Sequence, residues 1–174
     1  MIIGLSGKAG SGKDTVAQYL ETVHEFIPIA YADPVKTGLK AMFRFDPEYL
    51  TDQEMKEQDI PGLGVSGRVL MQTLGTEWGR NLIDEDIWVN IARRKILMLD
   101  SYDVVVTDVR FDNEAALIRE LGGILINVVR DDVRDVGILG HSSEAGLTFT
   151  NGSIILHNNG TKEELFAMVD NEIL

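Results

Sequence analysis

Short apolar runs alternate along the chain with stretches in which apolar residues recur every third or fourth position. A short apolar run favours a buried strand, and the spaced pattern favours an amphipathic helix. The expected strands are residues 2–6, 26–30, 104–107, 124–129 and 153–156, and the expected helices are 13–23, 33–43, 69–81, 84–99, 113–121 and 161–170. Strands that alternate with helices predict an α/β fold with three layers, in which helices cover both faces of a mostly parallel five-stranded sheet.

Three of the expected helices carry an apolar face that should be buried. These faces are Val16, Ala17, Leu20 and Val23 in the first helix, Val35, Leu39, Met42 and Phe43 in the second, and Met71, Leu74, Trp78 and Leu82 in the third. Residues 45–67 are instead polar and contain Pro61-Gly62-Leu63-Gly64. We interpret them as a mobile excursion from a single domain, 1–174, because neither flank is long enough to be a separate domain.

Composition and charge narrow the class of protein. The chain has 174 residues, of which 44% are hydrophobic, and this composition excludes a collagen-like or wholly disordered chain. Sixteen Lys and Arg against 28 Asp and Glu give a net charge of −12, which argues against binding of a nucleic-acid polymer. No apolar run approaches the roughly 18 residues of a membrane span. The N-terminus also lacks a basic leader segment, so we expect a soluble, cytoplasmic protein without a membrane partner. The absence of cysteine excludes disulfides and thiolate zinc sites.

The segment Gly7-Lys8-Ala9-Gly10-Ser11-Gly12-Lys13 directly follows the first expected strand and directly precedes the first helix. It matches the phosphate-binding loop G-x-x-x-x-G-K. Glycines let consecutive backbone N–H groups point into one concavity, and the lysine reaches the β- and γ-phosphates of a nucleotide. The residues predict an ATP site, namely Gly7, Gly10, Ser11, Gly12 and Lys13. The alternative is a glycine turn without a ligand, which the lysine and the strand–helix context disfavour.

The residue after Lys13, usually Ser or Thr in this loop, is Asp14, and the hydroxyl follows at Thr15. Nucleoside kinases and related small-molecule kinases tolerate this variant. We expect Asp14 to hold Mg²⁺ through water and Thr15 to contact a phosphate oxygen, since Mg²⁺ is bound by few carboxylates together with phosphates. Asp14, Thr15 and Asp108 are thus the candidate magnesium ligands.

Asp108-Val109-Arg110 follows the third expected strand. Residues at the carboxyl ends of parallel strands face the ligand crevice, so Asp108 and Arg110 should lie opposite the phosphate loop. Asp108 is expected to hold Mg²⁺ through water or to bind a sugar hydroxyl, and Arg110 to hold an acceptor phosphate with two hydrogen bonds. The alternative interpretation is a helix-capping Asp beside a surface Arg.

Four further cations are candidate site residues because of their positions in the sequence alone. Lys36 and Arg68 lie near strand ends or helix starts, where lone charges are usually solvated. Arg130 and Arg134 lie in a lid-like segment, 130–143, at the place where kinases of this shape bring an arginine onto the transferring phosphoryl group. A solvated charged loop is the alternative. The sequence contains no evident Ser-His-Asp or paired-carboxylate arrangement of a hydrolase. A phosphate acceptor needs no general base, because a phosphomonoester has a second pKa of about 6 and is already a nucleophile at neutral pH.

Seven blocks occur in one order along the chain. They are Gly-Lys-Asp-Thr at 12–15, Ala-Asp-Pro-Val-Lys at 32–36, Arg-Val-Leu-Met-Gln-Thr-Leu-Gly-Thr at 68–76, Trp88, Asp-Val-Arg-Phe-Asp-Asn-Glu at 108–114, His-Ser-Ser-Glu-Ala-Gly at 141–146 and Asn-Asn-Gly-Thr-Lys-Glu-Glu-Leu at 158–165. In this combination the chain resembles the deoxynucleoside monophosphate kinases of bacteriophages over nearly its whole length. The first block is generic, and the third block combined with the fifth is much more discriminating.

The resemblance implies a P-loop kinase that moves the γ-phosphoryl of ATP, with Mg²⁺, to a deoxynucleoside 5′-monophosphate. It places around the acceptor Lys36, Arg68, Gly75, Thr76, Trp88, Asp108, Arg110 and Glu114. Trp88 would pack on or beside the base, and Arg68 and Arg110 would hold the phosphate. The segment Asn158, Asn159, Gly160 and Thr161 would border the adenine of ATP. Lys13, Arg110 and a lid arginine, Arg130 or Arg134, would neutralise charge in the transition state.

The sequence departs from the family pattern at two places. These departures bear on the substrate range and on whether the protein forms a homodimer. Residues 45–67 form a shorter polar region than in the best-known members, and Ala9 stands where some members carry a further basic residue. Two alternatives keep the phosphate loop and change the acceptor. One is a kinase for dephospho-coenzyme A, phosphomevalonate or gluconate, and the other is an ATPase that needs no acceptor.

Overall fold

The computed structural model describes residues 1–131 and 152–173, and it confirms an α/β fold built on a parallel five-stranded sheet. The strands are β1 (Ile2–Ser6), β2 (Ile27–Ile29), β3 (Val104–Val106), β4 (Ile124–Val129) and β5 (Ile154–His157). The helices are α1 (Lys13–His24), α2 (Asp33–Phe43), α3 (Glu48–Thr51), α4 (Gly67–Gln72), α5 (Ile87–Leu97), α6 (Asp112–Glu120) and α7 (Lys162–Glu172). A 3₁₀ turn covers Met55–Glu57, and a π-helical segment covers Thr73–Ile83.

The chain divides into two compact units. The first comprises Met1–Ala30 and Ala92–Leu174 and contains the whole sheet, and the second comprises Tyr31–Ile91. The polar stretch expected as an excursion, 45–67, lies entirely within the second unit. Among the helices that the structure describes, none has the length and apolar character needed to cross a membrane.

The sheet of the first unit has the strand order β2-β3-β1-β4-β5, and every neighbouring pair is parallel. In the register, Gly4 lies opposite Val106 on one side and Leu125 on the other. The short apolar runs form parallel strands because a strand covered on both faces buries successive side chains rather than alternate ones. All five carboxyl ends therefore meet at one edge, where the loops after β1, β3 and β5 begin.

The core of the first unit packs the strands against α1 and α7. Ile3, Leu5 and Ile126 are completely buried, as are Leu20 of α1 and Val169 of α7. Burial of one such side chain contributes roughly 1.5–3 kcal/mol. Removal of these contacts would therefore loosen the sheet edge that carries the phosphate loop.

The end of α1 differs from the expectation. Val16, Ala17 and Leu20 are buried as predicted, but Val23 is 57% exposed. The helix ends at His24, and Glu25 takes a left-handed conformation with φ 59°. This turn directs the chain so that Phe26, and not Val23, fills the core, where it is 3% exposed.

The second unit has a smaller apolar core formed partly by the polar stretch. Val35 and Leu39 of α2 are buried, and so are Leu50 and Ile60 from the segment expected to be an excursion. The backbone N–H of Ile60 donates to the carbonyl oxygen of Val65 at 2.9 Å, which closes the turn between them. The expectation that Met42 and Phe43 are also buried is wrong, since they are 58% and 43% exposed in the last turn of α2.

The helical stretch 67–83 buries a different face from the one expected. Ser66 caps it by accepting a hydrogen bond from the Val69 N–H at 3.3 Å. Trp78 and Leu82, expected in the core, are 44% and 75% exposed. The buried polar side chains are Arg68, Gln72, Thr76 and Arg80, at a spacing of four. The π-helical part, with its i to i+5 bonds, has wider turns than an α-helix and so rotates the buried face away from the apolar stripe.

Candidate active site

The phosphate loop lies at the carboxyl end of β1, between this strand and α1. Gly7 has a φ of +144°, and a Cβ atom there would lie 2.5 Å from the carbonyl oxygen of Val128. The close approach of β4 therefore requires glycine at this position. The backbone N–H of Ser11 donates to the carbonyl oxygen of Lys8 at 3.1 Å, which closes the loop on itself.

The loop joins α1 through Gly12, which has a φ of +102°. The first helical hydrogen bond runs from the Val16 N–H to the Gly12 carbonyl at 3.0 Å. The N–H groups of the first helical turn have no carbonyl partner within the helix, and the helix dipole adds partial positive charge at this end. Strand, loop and helix thus form the arrangement that binds phosphate.

Lys13 and Asp14 form an ion pair at the start of α1. The Lys13 ammonium is 2.6 Å from Oδ1 of Asp14, and the two side chains are 12% and 66% exposed. The exposed carboxylate of Asp14 and the hydroxyl of Thr15 are hard oxygen ligands of the kind that Mg²⁺ takes. In the described ranges, no group of three or more His, Asp and Glu side chains is placed to hold a metal ion. Mg²⁺ at a nucleotide needs only one or two carboxylates with the phosphates, so the residues present fit this ion.

The segment after β5 contacts the phosphate loop. Asn158 is buried, and its Nδ2 donates to the carbonyl oxygen of Ser11 at 2.8 Å. Asn159 and Asp131 form a reciprocal pair, in which the Asp131 N–H donates to Oδ1 of Asn159 at 3.0 Å and Nδ2 of Asn159 donates to the Asp131 carboxylate at 2.8 Å. Thr161 then caps α7 by accepting a bond from the Glu164 N–H. The two sequence regions predicted to bind ATP, 7–15 and 158–161, are thus brought together within the first unit.

The loop after β3 is held by a buried carboxylate. Glu114 is 2% exposed, and its Oε2 accepts hydrogen bonds from the backbone N–H groups of Arg110 at 2.7 Å and Phe111 at 3.0 Å. The Val109 N–H donates to the Leu5 carbonyl at 3.0 Å, which ties this loop to β1. Asp108 and Arg110, both half-buried, therefore leave the same sheet edge as the phosphate loop.

The other predicted acceptor residues lie in the second unit, and two of them have defined partners. The Arg68 side chain is 10% exposed, and its Nε donates to Oε1 of Glu57 at 2.6 Å. Trp88 is 7% exposed, and its indole N–H donates to the Gly75 carbonyl at 2.7 Å. Thr76 is buried on the same helical stretch as Arg68, and Lys36 is half-buried in the first turn of α2.

The indole of Trp88 is in close contact with Gly79. A Cβ atom at Gly79 would lie 2.5 Å from the indole ring, so the π-helical backbone rests directly against it. The ring is therefore part of the packing of the second unit, and whether it also touches a base stays a prediction.

Three functional candidates in the second unit were missed at the sequence level: Glu57, Gln72 and Arg80. Gln72 is 8% exposed, and within residues 1–131 and 152–173 neither its Oε1 nor its Nε2 has a hydrogen-bond partner. Arg80 is 9% exposed and donates from Nη1 to the Glu85 carbonyl at 3.0 Å. A signal for both exists in the sequence, since polar residues recur every four positions from Arg68 through a largely apolar stretch. Nothing in the sequence pairs Glu57 with Arg68.

Part of the predicted site falls outside the described residues. Arg134, most of the lid-like segment 130–143 and the block 141–146 belong to this part. Arg130 is described and is exposed, directly after β4.

The fold and the phosphate loop define a class of protein, the P-loop proteins of α/β architecture. A solved structure from Chloroflexus aurantiacus, described as a kinase, superposes with a TM-score of 0.51 over 99% of this chain and 98% of that one, at 11% identity. At this identity the likeness concerns the fold alone, and it agrees with the three-layer architecture expected from the sequence.

The family follows from sequence comparison. The model of the deoxynucleotide monophosphate kinase family matches residues 64–169. A protein of Acanthamoeba polyphaga mimivirus that bears the name of this kinase is 34% identical over 183 residues, and the match covers 97% of this chain and 94% of that protein. The deoxynucleoside-5′-monophosphate kinase of Escherichia phage T5 is 37% identical over 112 residues, 59% of this chain and 45% of the phage protein. The chain belongs to the deoxynucleotide monophosphate kinase family, which is a family of phosphotransferases, and the resemblance noted from its sequence blocks is confirmed. It aligns with less than half the length of the phage T5 and phage T4 relatives.

Proposed function

We propose that this protein transfers the γ-phosphoryl group of ATP to a deoxynucleoside 5′-monophosphate and so forms the diphosphate. Beside the family membership, one observation carries the acceptor half of this proposal, namely the buried polar face of residues 67–83. It presents a nearly buried guanidinium at Arg68 and an amide at Gln72 that has no hydrogen-bond partner in the part of the chain that the structure describes. A phosphate and a nucleobase are ligands that would use these two groups.

On the donor side, the amides of the phosphate loop and the Lys13 ammonium bind the phosphates of ATP. Asp14 and Thr15 are the residues that would hold Mg²⁺, and Asp108 would reach it through water. When bound, Mg²⁺ offsets negative charge on the β- and γ-phosphates. The pair that Lys13 makes with Asp14 keeps the ammonium at the mouth of the loop.

On the acceptor side, we assign Arg68 and Arg110 to the phosphate of the monophosphate, as the resemblance implies. An acceptor phosphate is already largely dianionic at neutral pH, so its oxygen attacks without a general base. The residues must therefore align the two phosphates and offset the charge that the transition state spreads over the transferred group. Lys13, Arg110 and a lid arginine, Arg130 or Arg134, are the cations that we assign to this task.

The remaining acceptor residues shape the site. Glu114 fixes the backbone that carries Arg110, through two hydrogen bonds from main-chain N–H groups. Trp88 holds Gly75 through the indole N–H, and Gly75 precedes the buried Thr76. Gln72 offers one donor and one acceptor to the edge of the base, and Lys36 adds a positive charge.

Product analysis tests the proposal directly. Formation of ADP is measured with ATP, Mg²⁺ and each deoxynucleoside monophosphate, beside dephospho-coenzyme A and a blank without acceptor. We expect stimulation by at least one deoxynucleotide, with the matching diphosphate formed, and loss of this activity in Lys13→Ala. Turnover in the blank at the full rate, or a response to dephospho-coenzyme A alone, would contradict the proposed acceptor.

A further inference from the structure

Asn158 lies between the end of β5 and the phosphate loop, and its side chain is 7% exposed. Its backbone N–H donates to the Val129 carbonyl at 2.8 Å and thereby continues the pairing of β4 with β5. Its side-chain amide then donates to the carbonyl oxygen of Ser11, also at 2.8 Å. A single residue thus connects the strand next to the loop with the backbone of the loop itself.

This contact fixes the direction of one N–H group in the loop. The peptide that joins Ser11 to Gly12 is planar, and in a trans peptide the carbonyl and the following N–H point in opposite directions. Since Asn158 holds the Ser11 carbonyl on one side, the Gly12 N–H is turned to the other side. Gly12, with a φ of +102°, has no Cβ atom, and the Asn158 amide fills the place where one would lie.

The segment that carries Asn158 is itself held from both sides. Before it, the pairing of β5 with β4 ends at His157 opposite Val129. After it, Asn159 makes its reciprocal pair with Asp131, and Thr161 caps α7. These contacts leave the Asn158 amide little freedom. The amide is therefore already oriented toward the loop before any nucleotide binds.

We propose that Asn158 is a positioning residue of the phosphate loop, which acts through the Ser11–Gly12 peptide on the phosphates of the donor. This inference rests on the proposed function in that the donor is a nucleoside triphosphate. It differs from the role implied by the resemblance, in which residues 158–161 border the adenine. A residue that orients a loop N–H changes the affinity for any polyphosphate, whereas an adenine contact changes the affinity for ATP alone.

The test compares ATP with inorganic tripolyphosphate, which carries the phosphates and no base. Asn158→Asp keeps the shape of the side chain but cannot donate, and it places a carboxylate against the Ser11 carbonyl. We expect the variant to bind both ATP and tripolyphosphate about tenfold more weakly in calorimetric titrations, the loss typical of one buried hydrogen bond. In turnover, KM for ATP should rise while KM for the monophosphate stays unchanged.

Asn171→Asp is the matched control. The Asn171 amide also donates to a backbone carbonyl, that of Ala167 at 2.7 Å, but on the last turns of α7. We expect this control to bind both ligands as the unchanged protein does. If Asn158→Asp does not fold, Asn158→Ala takes its place, because it removes the donor without adding a charge. The affinities for ATP and for tripolyphosphate are then measured on this variant.

Two outcomes would overturn the proposal. The first is weaker binding of ATP with unchanged binding of tripolyphosphate, which would assign Asn158 to the adenine. The second is unchanged binding of both ligands. The titrations contain no acceptor, so failure of the proposed acceptor would show in the product analysis and leave this comparison intact.

Discussion

The indole N–H of Trp88 donates to the carbonyl oxygen of Gly75 at 2.7 Å, across thirteen residues of sequence. The bond connects the first turn of α5 with the π-helical segment, close to the buried Thr76. Because the ring is buried and Gly79 rests against it, the position of the Gly75–Thr76 backbone depends on a tryptophan at this site.

Trp88→Phe should therefore impair acceptor binding more than donor binding. Phenylalanine keeps most of the ring but removes the hydrogen bond to the half-buried Gly75 carbonyl, and a typical hydrogen bond contributes about 0.5–1.5 kcal/mol. We expect KM for the monophosphate to rise about tenfold and KM for ATP to stay within a factor of about two. Trp78→Phe, on the exposed face of the same unit, is the control. Equal effects of the two substitutions would contradict the assignment.

Glu57 and Arg68 provide a second test of the acceptor site. Glu57 accepts from Nε of Arg68 at 2.6 Å and so fixes the guanidinium that we assign to the acceptor phosphate. In Glu57→Ala this hydrogen bond is lost, and we expect KM for the monophosphate to rise about tenfold, within the usual range for a charge-assisted bond. Glu57→Gln keeps an oxygen for Nε, so its KM should change by no more than about threefold. A lower KM in Glu57→Ala would show that Glu57 competes with the phosphate.

Arg110 should affect the rate more than donor binding. Removal of a group that offsets transition-state charge typically costs on the order of 10²–10³ in rate. We expect Arg110→Ala to lose transfer by this factor while the dissociation constant for ATP, measured by titration, stays within about threefold. Arg93→Ala is the control, because Arg93 pairs with Glu120 between α5 and α6 at 2.6 Å. Full turnover by Arg110→Ala would remove this arginine from the mechanism.

The strands and the phosphate loop could be predicted because the information is local. Each strand is a short apolar run, and the loop is a fixed spacing of glycines ahead of a lysine. The motif requires a glycine at position 7 but does not give the reason. The structure gives it, because the Val128 carbonyl leaves no room for a side chain at Gly7. The expected strand and helix limits agree with the structure within about three residues, as the ends of elements allow.

The second unit could not be predicted in the same way. Hydrophobic periodicity selected Trp78 and Leu82 as core, yet the structure exposes them and buries Arg68 and Gln72. Two physical effects account for this. The helix widens into π geometry after Gln72, and a buried polar face is invisible to a rule that assigns burial by apolarity. The pair between Arg68 and Glu57 depends on tertiary contact and has no sequence signal.

The bridge between Arg93 and Glu120 predicts a specific dependence of stability on acid. The hydrogen bond from Arg93 holds the pKa of Glu120 below its usual value of 4.5. A lowered pKa in the folded state contributes stability above pH 4.5 that is lost as the pH falls through the lower folded value. In urea unfolding at pH 7, the wild-type protein should therefore have a higher free energy of unfolding than Glu120→Gln. This difference should become smaller as the pH falls below 4.5. Glu21→Gln, an exposed glutamate on α1, controls for the loss of a charge.

Gln72 allows stability and function to be separated in one substitution. Gln72 is 8% exposed, and neither polar atom of its amide has a partner among the described residues. An unsatisfied buried polar group costs about 1–3 kcal/mol. Gln72→Met replaces the amide with an apolar group of similar length, so we expect the free energy of unfolding to stay equal or to rise by about 1 kcal/mol. If the amide exists to bind the base, the same variant should lose acceptor affinity by about tenfold, with the size of the loss differing among the four deoxynucleotides.

The two measurements must be read together. Gln18→Met, at an exposed position of α1, should change neither the unfolding free energy nor the acceptor KM. A variant at Gln72 that is less stable would show that the amide is paired within the protein. A variant that is more stable and keeps every acceptor KM would show that the buried amide is not used for the base. Only greater or equal stability combined with weaker acceptor binding supports the role proposed for Gln72, because only a ligand would then satisfy the amide.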